Sequence, residues 1–154
     1  MDLTLLIIDR ANVADNKALV HISKKAFDDD SKRFMGKENG GPGGYASEKV
    51  NSMMIRNNDY YKIKLHDFTT IGGVIISQKE NSIYLQRMFI DPKYQNLGIG
   101  QYVLNYLEKL YEPKHEWQLD TPQQNIRTNT FYQKCGYSFT NSQKGLNYYK
   151  KIIM

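Results

Sequence analysis

A glycine-rich turn lies where a strand is followed by a helix. The apolar segment 83–90 is typical of a strand, and Pro92 ends it because proline has no N–H to donate to a sheet. The first turn of a helix has unpaired backbone N–H groups and a partial positive charge, and glycines let an anion approach them. The segment 95–100 is therefore predicted to bind a phosphate. Apolar residues at helical spacing predict a helix after this turn, and Pro113 is expected to end it. These apolar residues are Val103, Leu104, Leu107 and Leu110.

Two common phosphate-binding motifs do not fit this turn. A nucleoside-triphosphatase loop needs lysine and then serine or threonine after its last glycine, but Gln101 and Tyr102 follow Gly100. A dinucleotide-binding fingerprint needs a third glycine, and Val103 stands in its place. The pattern that remains is Gln-x-x-Gly-x-Gly, beginning at Gln95.

The composition is typical of one soluble globular domain, expected to span 1–154. The chain has 154 residues, of which 40% are hydrophobic, and its single cysteine, Cys135, cannot form an internal disulfide, as is usual in the cytoplasm. The apolar run 5–8 is too short for a signal peptide or a membrane span, so no membrane partner is expected. A net charge of +5 would suit a polyanion, but the basic residues are scattered, which disfavours nucleic acid.

The other periodicities predict an α+β fold, with a mixed, largely antiparallel central sheet flanked by helices. A strand at 3–9 precedes a helix that Asn12 or Asp15 caps. A loop is expected at 28–45, either as a surface connection or as a substrate-facing loop whose three aspartates attract a cation. The elements expected after it are a helix from Ser47, an antiparallel meander of strands at 60–65, 71–77 and 83–90, the helix after the glycines, a strand at 116–121, a helix at 125–134, and strands at 137–140 and 146–153.

A second motif occupies residues 125–137, with the sequence Asn-Ile-Arg-Thr-Asn-Thr-Phe-Tyr-Gln-Lys-Cys-Gly-Tyr. It resembles motif B of the GCN5-related N-acetyltransferases (GNAT), Asn-x-x-Ala-x-x-Phe-Tyr-x-Lys-x-Gly-Phe, with Thr128 and Tyr137 as departures. The turn that begins at Gln95 resembles motif A, which cradles the pyrophosphate of coenzyme A, and the order of elements is similar to that of the family. The resemblance implies the GNAT fold, acetyl-CoA as co-substrate, and acetyl transfer to a primary amine.

The resemblance also implies which residues contact coenzyme A. Backbone amides of the turn would bind the pyrophosphate, and the end of the preceding strand would pair with the pantetheine arm. No metal ion is implied. The cofactor-binding set is Met88, Phe89, Ile90, Gln95, Asn96, Leu97, Gly98, Ile99, Gly100, Gln101, Asn125 and Tyr132.

The second motif has two helix faces. Asn125, Asn129 and Tyr132 share one face by their spacing, while Thr128, Phe131 and Cys135 share another. Such a polar stripe is either solvated surface or part of a site. The resemblance makes Tyr132 the catalytic acid that protonates the departing thiolate, since a phenol keeps its proton at neutral pH. Cys135 is expected to pack in the core rather than act as a nucleophile.

A general base is not defined by the pattern. Relatives often carry a glutamate eleven residues before the first residue of motif A, where this chain has Tyr84. Asp120, at a strand end beside the second motif, is the first catalytic candidate and Glu48 the second, while His66 and His115 are expected to be solvated. Deprotonating an α-amine at pH 7 costs only about 1.4 kcal/mol, against about 4.6 kcal/mol for a lysine-like amine, so an amine of low pKa is favoured.

Two functional classes stay open from the sequence. One is an N-acetyltransferase acting on a small-molecule or peptide amine, and the other is a non-catalytic acyl-CoA-binding or regulatory module, which the missing glutamate supports. Retention of Tyr132 argues for catalysis, because a binding module does not need to protonate a thiolate. The last strand, at 147–153, either pairs with a second copy in a homodimer or completes the chain's own sheet.

Overall fold

A seven-stranded mixed sheet with helices on both faces forms the centre of the molecule. The computed structural model describes residues 1–112 and 114–154. Within them the strands are β1 (Ile7–Arg10), β2 (Asp59–Lys64), β3 (Thr70–Gln78), β4 (Ser82–Ile90), β5 (Glu116–Pro122), β6 (Ser138–Gln143) and β7 (Leu146–Ile152), and the helices are α1 (Asn16–Phe34), α2 (Glu48–Asn57), α3 (Ile99–Leu110) and α4 (Ile126–Lys134).

The strand order β1-β2-β3-β4-β5-β7-β6 confirms the predicted mixed, largely antiparallel sheet. The meander β2-β3-β4 is antiparallel, as the short connections predict. Only β4 and β5 run parallel, and their pairing covers four residue pairs, from Ser82 with Glu116 to Leu85 with Leu119. Beyond that point β4 and β5 have no residues paired with each other.

Apolar side chains on the two faces of the sheet form two clusters. The larger cluster packs α3 and α4 on one face and includes the fully buried Leu104, Leu107 and Trp117. The smaller one packs α1 on the other face through Leu19 and Ile22. None of the helices in the described part of the chain is both long and apolar enough to cross a membrane.

Helix α1 is longer than the sequence predicts. The segment 28–34, expected as part of a loop, continues this helix. Its charged side chains pair one turn apart, Lys24 with Asp28 and Arg33 with Asp29 at 3.6 Å. The predicted loop is therefore wrong over 28–34, because charge pairs at i and i+4 support the helix where apolar periodicity ends.

The aspartates of this segment are used inside the protein rather than offered to a cation. Asp28 accepts hydrogen bonds from the Tyr45 hydroxyl at 2.6 Å and from the Gly40 amide at 3.1 Å. Asp30 is 3% exposed and pairs with Arg127. The expectation of a substrate-facing acidic loop is therefore wrong for these carboxylates.

Several boundaries near the ends of the chain also differ. The strand expected at 3–9 starts later in the structure, where β1 begins at Ile7. Leu3–Leu5 form a 3-10 turn instead, because Asp2 caps it by accepting a hydrogen bond from the Thr4 amide at 3.0 Å. The polar turn expected at 141–145 narrows to Lys144 and Gly145, whose φ angles are +52° and +80°. Helix α3 ends at Leu110, and the predicted terminator, Pro113, lies outside the described residues.

The last strand completes the chain's own sheet. β7 pairs with β5 on one side and with β6 on the other, so it has no free edge for a second copy. The sheet edges are β1 and β6 instead. A homodimer formed on the edge of the last strand, one of the two sequence alternatives, is therefore wrong.

The packing of α3 predicts different effects for two similar substitutions. Leu104→Ala removes a side chain with 0% exposure and should lower the free energy of unfolding by about 3 kcal/mol, because it leaves a cavity. Leu110→Ala is the matched control. Because Leu110 is 52% exposed, this substitution should lower the free energy of unfolding by less than about 1 kcal/mol. Urea denaturation measures both, and equal losses would contradict the packing of α3 described above.

Candidate active site

A cleft of about 560 Å³ lies beside the point where β4 and β5 lose their pairing. Residues of α3 and α4 line it, together with the end of β4 and Phe34 at the end of α1. Most of the predicted site residues meet here, although Leu97, Asp120 and Asn125 are not part of the lining. The predicted residues that line the cleft are Met88, Phe89, Ile90, Gln95, Asn96, Gly98, Ile99, Gly100, Gln101 and Tyr132.

The first turn of α3 opens into this cleft with unpaired amides. Gly98 has a left-handed φ of +82° at the helix N-cap and no side chain caps the helix. Among the described residues, no acceptor pairs with the backbone N–H groups of Ile99, Gly100 or Gln101. The macrodipole adds partial positive charge at the same place, so the turn is suited to hold an anion.

Gly100 is required by the close packing of α3 against the cleft walls. A Cβ atom at this position would lie 2.8 Å from Cζ of Phe131 and 3.2 Å from Cε of Met88. Both distances are shorter than ordinary carbon contacts, so a larger residue displaces these side chains. The glycine therefore keeps the cleft open as well as exposing the amide.

The end of β4 has a free edge. Met88, Phe89 and Ile90 pair with β3, but none of them pairs with β5. The Gln95 side chain donates a hydrogen bond to the Ile90 carbonyl at 3.0 Å and so ties the turn to this strand. Unpaired backbone groups beside an open cleft can pair with an extended ligand.

Tyr132 presents a buried phenol to the cleft. The residue is 7% exposed and lines the cleft, and within the described chain no side chain or backbone group is hydrogen-bonded to its hydroxyl. Burial raises the pKa of this phenol well above its ordinary value, while the Arg127 cation acts in the opposite direction. The hydroxyl therefore keeps its proton and is free to donate it.

Most of the polar stripe of α4 is buried: Asn125 and Tyr132 are buried, and Asn129 is half-buried. Asn125, at 3% exposure, caps the helix by accepting from the Thr128 amide at 3.1 Å and donates to Asp30 at 3.0 Å. Asn129 donates to the Pro122 carbonyl at 2.9 Å. Both amides help to fix the position of α4, and Asn125 is not among the residues that line the cleft.

Asp30 and Arg127 form an ion pair that sequence reasoning missed. Arg127 donates from Nε to Oδ1 of Asp30 at 2.8 Å and from Nη2 to Oδ2 at 2.6 Å. The pair joins α1 to α4, which pack on opposite faces of the sheet. The two residues are 97 positions apart and Asp30 was assigned to a loop, so no local pattern could have indicated the contact.

Asp120 and Tyr84 form a second pair on neighbouring strands. The Tyr84 hydroxyl donates to the Asp120 carboxylate, and burial together with this contact raises the pKa of the Tyr84 phenol. Leu119 and Thr121 of β5 are buried, so Asp120 lies on the face of the sheet away from α3 and α4. The other candidates are more remote: Glu48, His66 and His115 are exposed and outside the cleft lining.

Cys135 is buried against the same cleft. It is 6% exposed, and burial raises the pKa of its thiol to about 11. The thiol therefore lacks the lowered pKa of a nucleophile, in agreement with its predicted packing role.

The thiol pKa predicts slow alkylation of the folded protein. At pH 8 a thiol of pKa about 11 is about 0.1% thiolate, whereas an unfolded cysteine of pKa about 8.5 is about a quarter thiolate. Iodoacetamide should therefore label folded Cys135 about 250-fold more slowly than the protein unfolded in urea, as measured by mass spectrometry. Similar rates in the two states would contradict the buried environment of the thiol.

Comparisons with solved structures give the same fold. A PaiA N-acetyltransferase from Thermoplasma acidophilum, solved with coenzyme A, is 18% identical, with a TM-score of 0.83 over 96% of this chain and 98% of that one. An acetyltransferase from Thermus thermophilus is 14% identical, with a TM-score of 0.77 over 99% and 100%. The spermidine N-acetyltransferase SpeG of Vibrio cholerae is 14% identical, with a TM-score of 0.69 over 97% and 94%.

The sequence comparisons agree with the motifs. A search among curated proteins found no match. The profile of the acetyltransferase (GNAT) domain matches residues 59–139, which is more than half of the chain and includes both motifs. The chain belongs to the GNAT acetyltransferase family.

Proposed function

We propose that this protein is an N-acetyltransferase that moves an acetyl group from acetyl-CoA to a primary amine of a small molecule or peptide. The observation that carries the proposal is the convergence of three features on one cleft: the unpaired amides of α3, the free edge of β4 and the unpartnered phenol of Tyr132. Membership in the acetyltransferase family supports the reaction class, and the relative solved with coenzyme A supports the ligand.

The cleft fits coenzyme A at two places. The amides from Asn96 to Gln101, Leu97 included, would hold the pyrophosphate, because they combine unpaired donors with the positive end of α3. The edge of Met88–Ile90 that does not pair with β5, apart from the Ile90 carbonyl that Gln95 already occupies, would pair with the amide groups of the pantetheine arm. The Gln95 side chain fixes the turn before α3 relative to the end of β4 through its hydrogen bond to the Ile90 carbonyl. Asn125 supports the site by capping α4 instead of touching the ligand.

Acetyl-CoA supplies a thioester: the amine lone pair forms a C–N bond at its carbonyl carbon, and the C–S bond breaks with its electrons going to sulfur. Tyr132 donates the hydroxyl proton to that sulfur. Burial keeps the phenol pKa high, so the proton is present throughout the neutral range. The nitrogen loses one proton and the sulfur gains one, and the Tyr132 phenolate is then reprotonated from solvent, so the protons balance.

Asp120 is the proposed acceptor of the amine proton. The Tyr84 hydroxyl, at the position where relatives carry a glutamate, donates to the Asp120 carboxylate and so orients it. Asp120 is the first residue of β5 beyond its pairing with β4, on the face opposite α3 and α4. An amine that reaches the cleft from that face would meet the carboxylate before the thioester. A substrate amine of low pKa would depend least on the Asp120 carboxylate, because its deprotonation at neutral pH costs the least free energy.

The first experiment tests the ligand site through Gly100→Ala. The added methyl group would displace Phe131 and Met88 into the cleft, and we expect coenzyme A to bind at least about tenfold more weakly in calorimetry. Gly43→Ala is the matched control, since its Cβ would meet nothing within 4 Å and the affinity should not change. Equal affinity in both variants would place the ligand elsewhere.

The second experiment tests the reaction through Tyr132→Phe. Release of free thiol from acetyl-CoA is measured across a panel of amines, and loss of the proton donor should lower kcat by about 10²-fold or more while the Kd for coenzyme A changes little. Tyr106→Phe, at a tyrosine that is 43% exposed on α3, is the control and should behave as the parent protein. A parent protein that binds coenzyme A but releases no thiol with any amine would instead support the non-catalytic binding module.

A further inference from the structure

The guanidinium of Arg127 is held from one side only. Asp30 accepts from Nε and Nη2, so the ion pair uses one edge of the planar group. The Asp30 side chain is 4% exposed and also accepts from Asn125 at 3.0 Å, so its position is fixed by three donors. A bidentate pair of this kind orients the arginine more firmly than a single charge contact does.

The opposite edge of the same guanidinium is open. Within the described part of the chain, Nη1 of Arg127 is not hydrogen-bonded, although the residue lines the cleft. The Arg127 side chain is 30% exposed, whereas its partner Asp30 is buried. Arg127 therefore keeps a charged N–H donor available at the cleft side after the ion pair is made.

Arg127 lies close enough to Tyr132 for its charge to act on the phenol. Both residues belong to α4 and line the same cleft. Other titratable groups that act on the Tyr132 phenol are Cys135 on the same helix, Asp30 from α1 and Asp120 from β5. Arg127 carries the positive charge among these groups, and its bidentate pair with Asp30 orients that charge on the wall of the cleft.

We propose that Arg127 is a catalytic residue that donates from Nη1 to the departing sulfur of the thioester, and that Asp30 positions it. This inference rests on the proposed acetyl transfer. When the C–S bond breaks, negative charge develops on the sulfur; Tyr132 gives that atom its proton, while Arg127 keeps all of its own protons and contributes charge alone. A donor that is oriented before the reaction stabilises developing charge without having to reorganise.

Asp30 has a defined part in this arrangement. A free arginine on the wall of the cleft could adopt many rotamers, but the Asp30 carboxylate selects the one in which Nε and Nη2 are occupied and Nη1 is not. Lysine has a single ammonium group and cannot satisfy Asp30 with one fixed edge while presenting another. We therefore expect that Arg127→Lys does not restore the rate.

The test uses the double variant Asp30→Asn, Arg127→Gln, which removes the cation without leaving a buried carboxylate unpaired. We expect kcat for thiol release to fall by about 10²-fold, with the Kd for coenzyme A within about threefold of the parent value. Asp30→Asn alone keeps the cation but loosens it, and should lower kcat by about tenfold at unchanged Kd. The control is the double variant Asp29→Asn, Arg33→Gln, which removes another Asp–Arg contact, at 3.6 Å on α1, and should have parental kcat.

The outcomes separate this inference from the proposed function. A parent protein without thiol release overturns the proposed function itself. A parent protein that is active, with an Asp30→Asn, Arg127→Gln variant that melts cooperatively and keeps its kcat, overturns the role of Arg127. Loss of coenzyme A affinity in proportion to kcat also overturns it, since Arg127 would then bind the ligand equally before and during the reaction.

Discussion

The separation of β4 and β5 after four paired residues is the constraint on which the candidate site depends. A parallel pair that continued to the ends of both strands would satisfy the backbone of Met88–Ile90 and close the cleft. Because the pairing stops at Leu85 and Leu119, the end of β4 has one edge paired with β3 and one edge free. Helices α3 and α4 then meet beside the opening, one bringing unpaired amides and the other a phenol.

Such an opening in a sheet needs other contacts to stabilise it, and buried polar groups provide them. Asp30 of α1 accepts three hydrogen bonds from Arg127 and Asn125, and so links helices on opposite faces of the sheet. Asn129 binds the Pro122 carbonyl at the end of β5. Because the Asp30 carboxylate is buried, removing the Arg127 cation would leave it without its charged partner, so this contact helps to place the helix that carries Tyr132.

The parts of the site that follow from local chemistry could be predicted from the sequence. The left-handed Gly98 and the unpaired amides of the first turn of α3 follow from local chemistry, and the strand and helix around them follow from apolar spacing. The meander could also be predicted from local patterns. So could the helix of the second motif, which begins at the residue after its cap, Asn125. The family resemblance then supplied the order of the elements, which the sheet topology bears out.

What could not be predicted depends on partners far apart in the chain. Residues 28–34 lack apolar periodicity, and their helix is supported by charge pairs and by Arg127, 97 positions away from Asp30. For the same reason no local pattern indicates that the Asn125 side chain donates to Asp30 as well as capping α4. The pairing of Tyr84 with Asp120 likewise needs the β4–β5 register, which no local pattern contains.

The most direct measurement of the central claim is a crystal structure of the protein with coenzyme A bound. We expect the diphosphate to accept hydrogen bonds from the amides of Ile99, Gly100 and Gln101, and the sulfur to lie within about 3.5 Å of the Tyr132 hydroxyl. Coenzyme A bound outside the cleft, or with its sulfur turned away from α4, would contradict it.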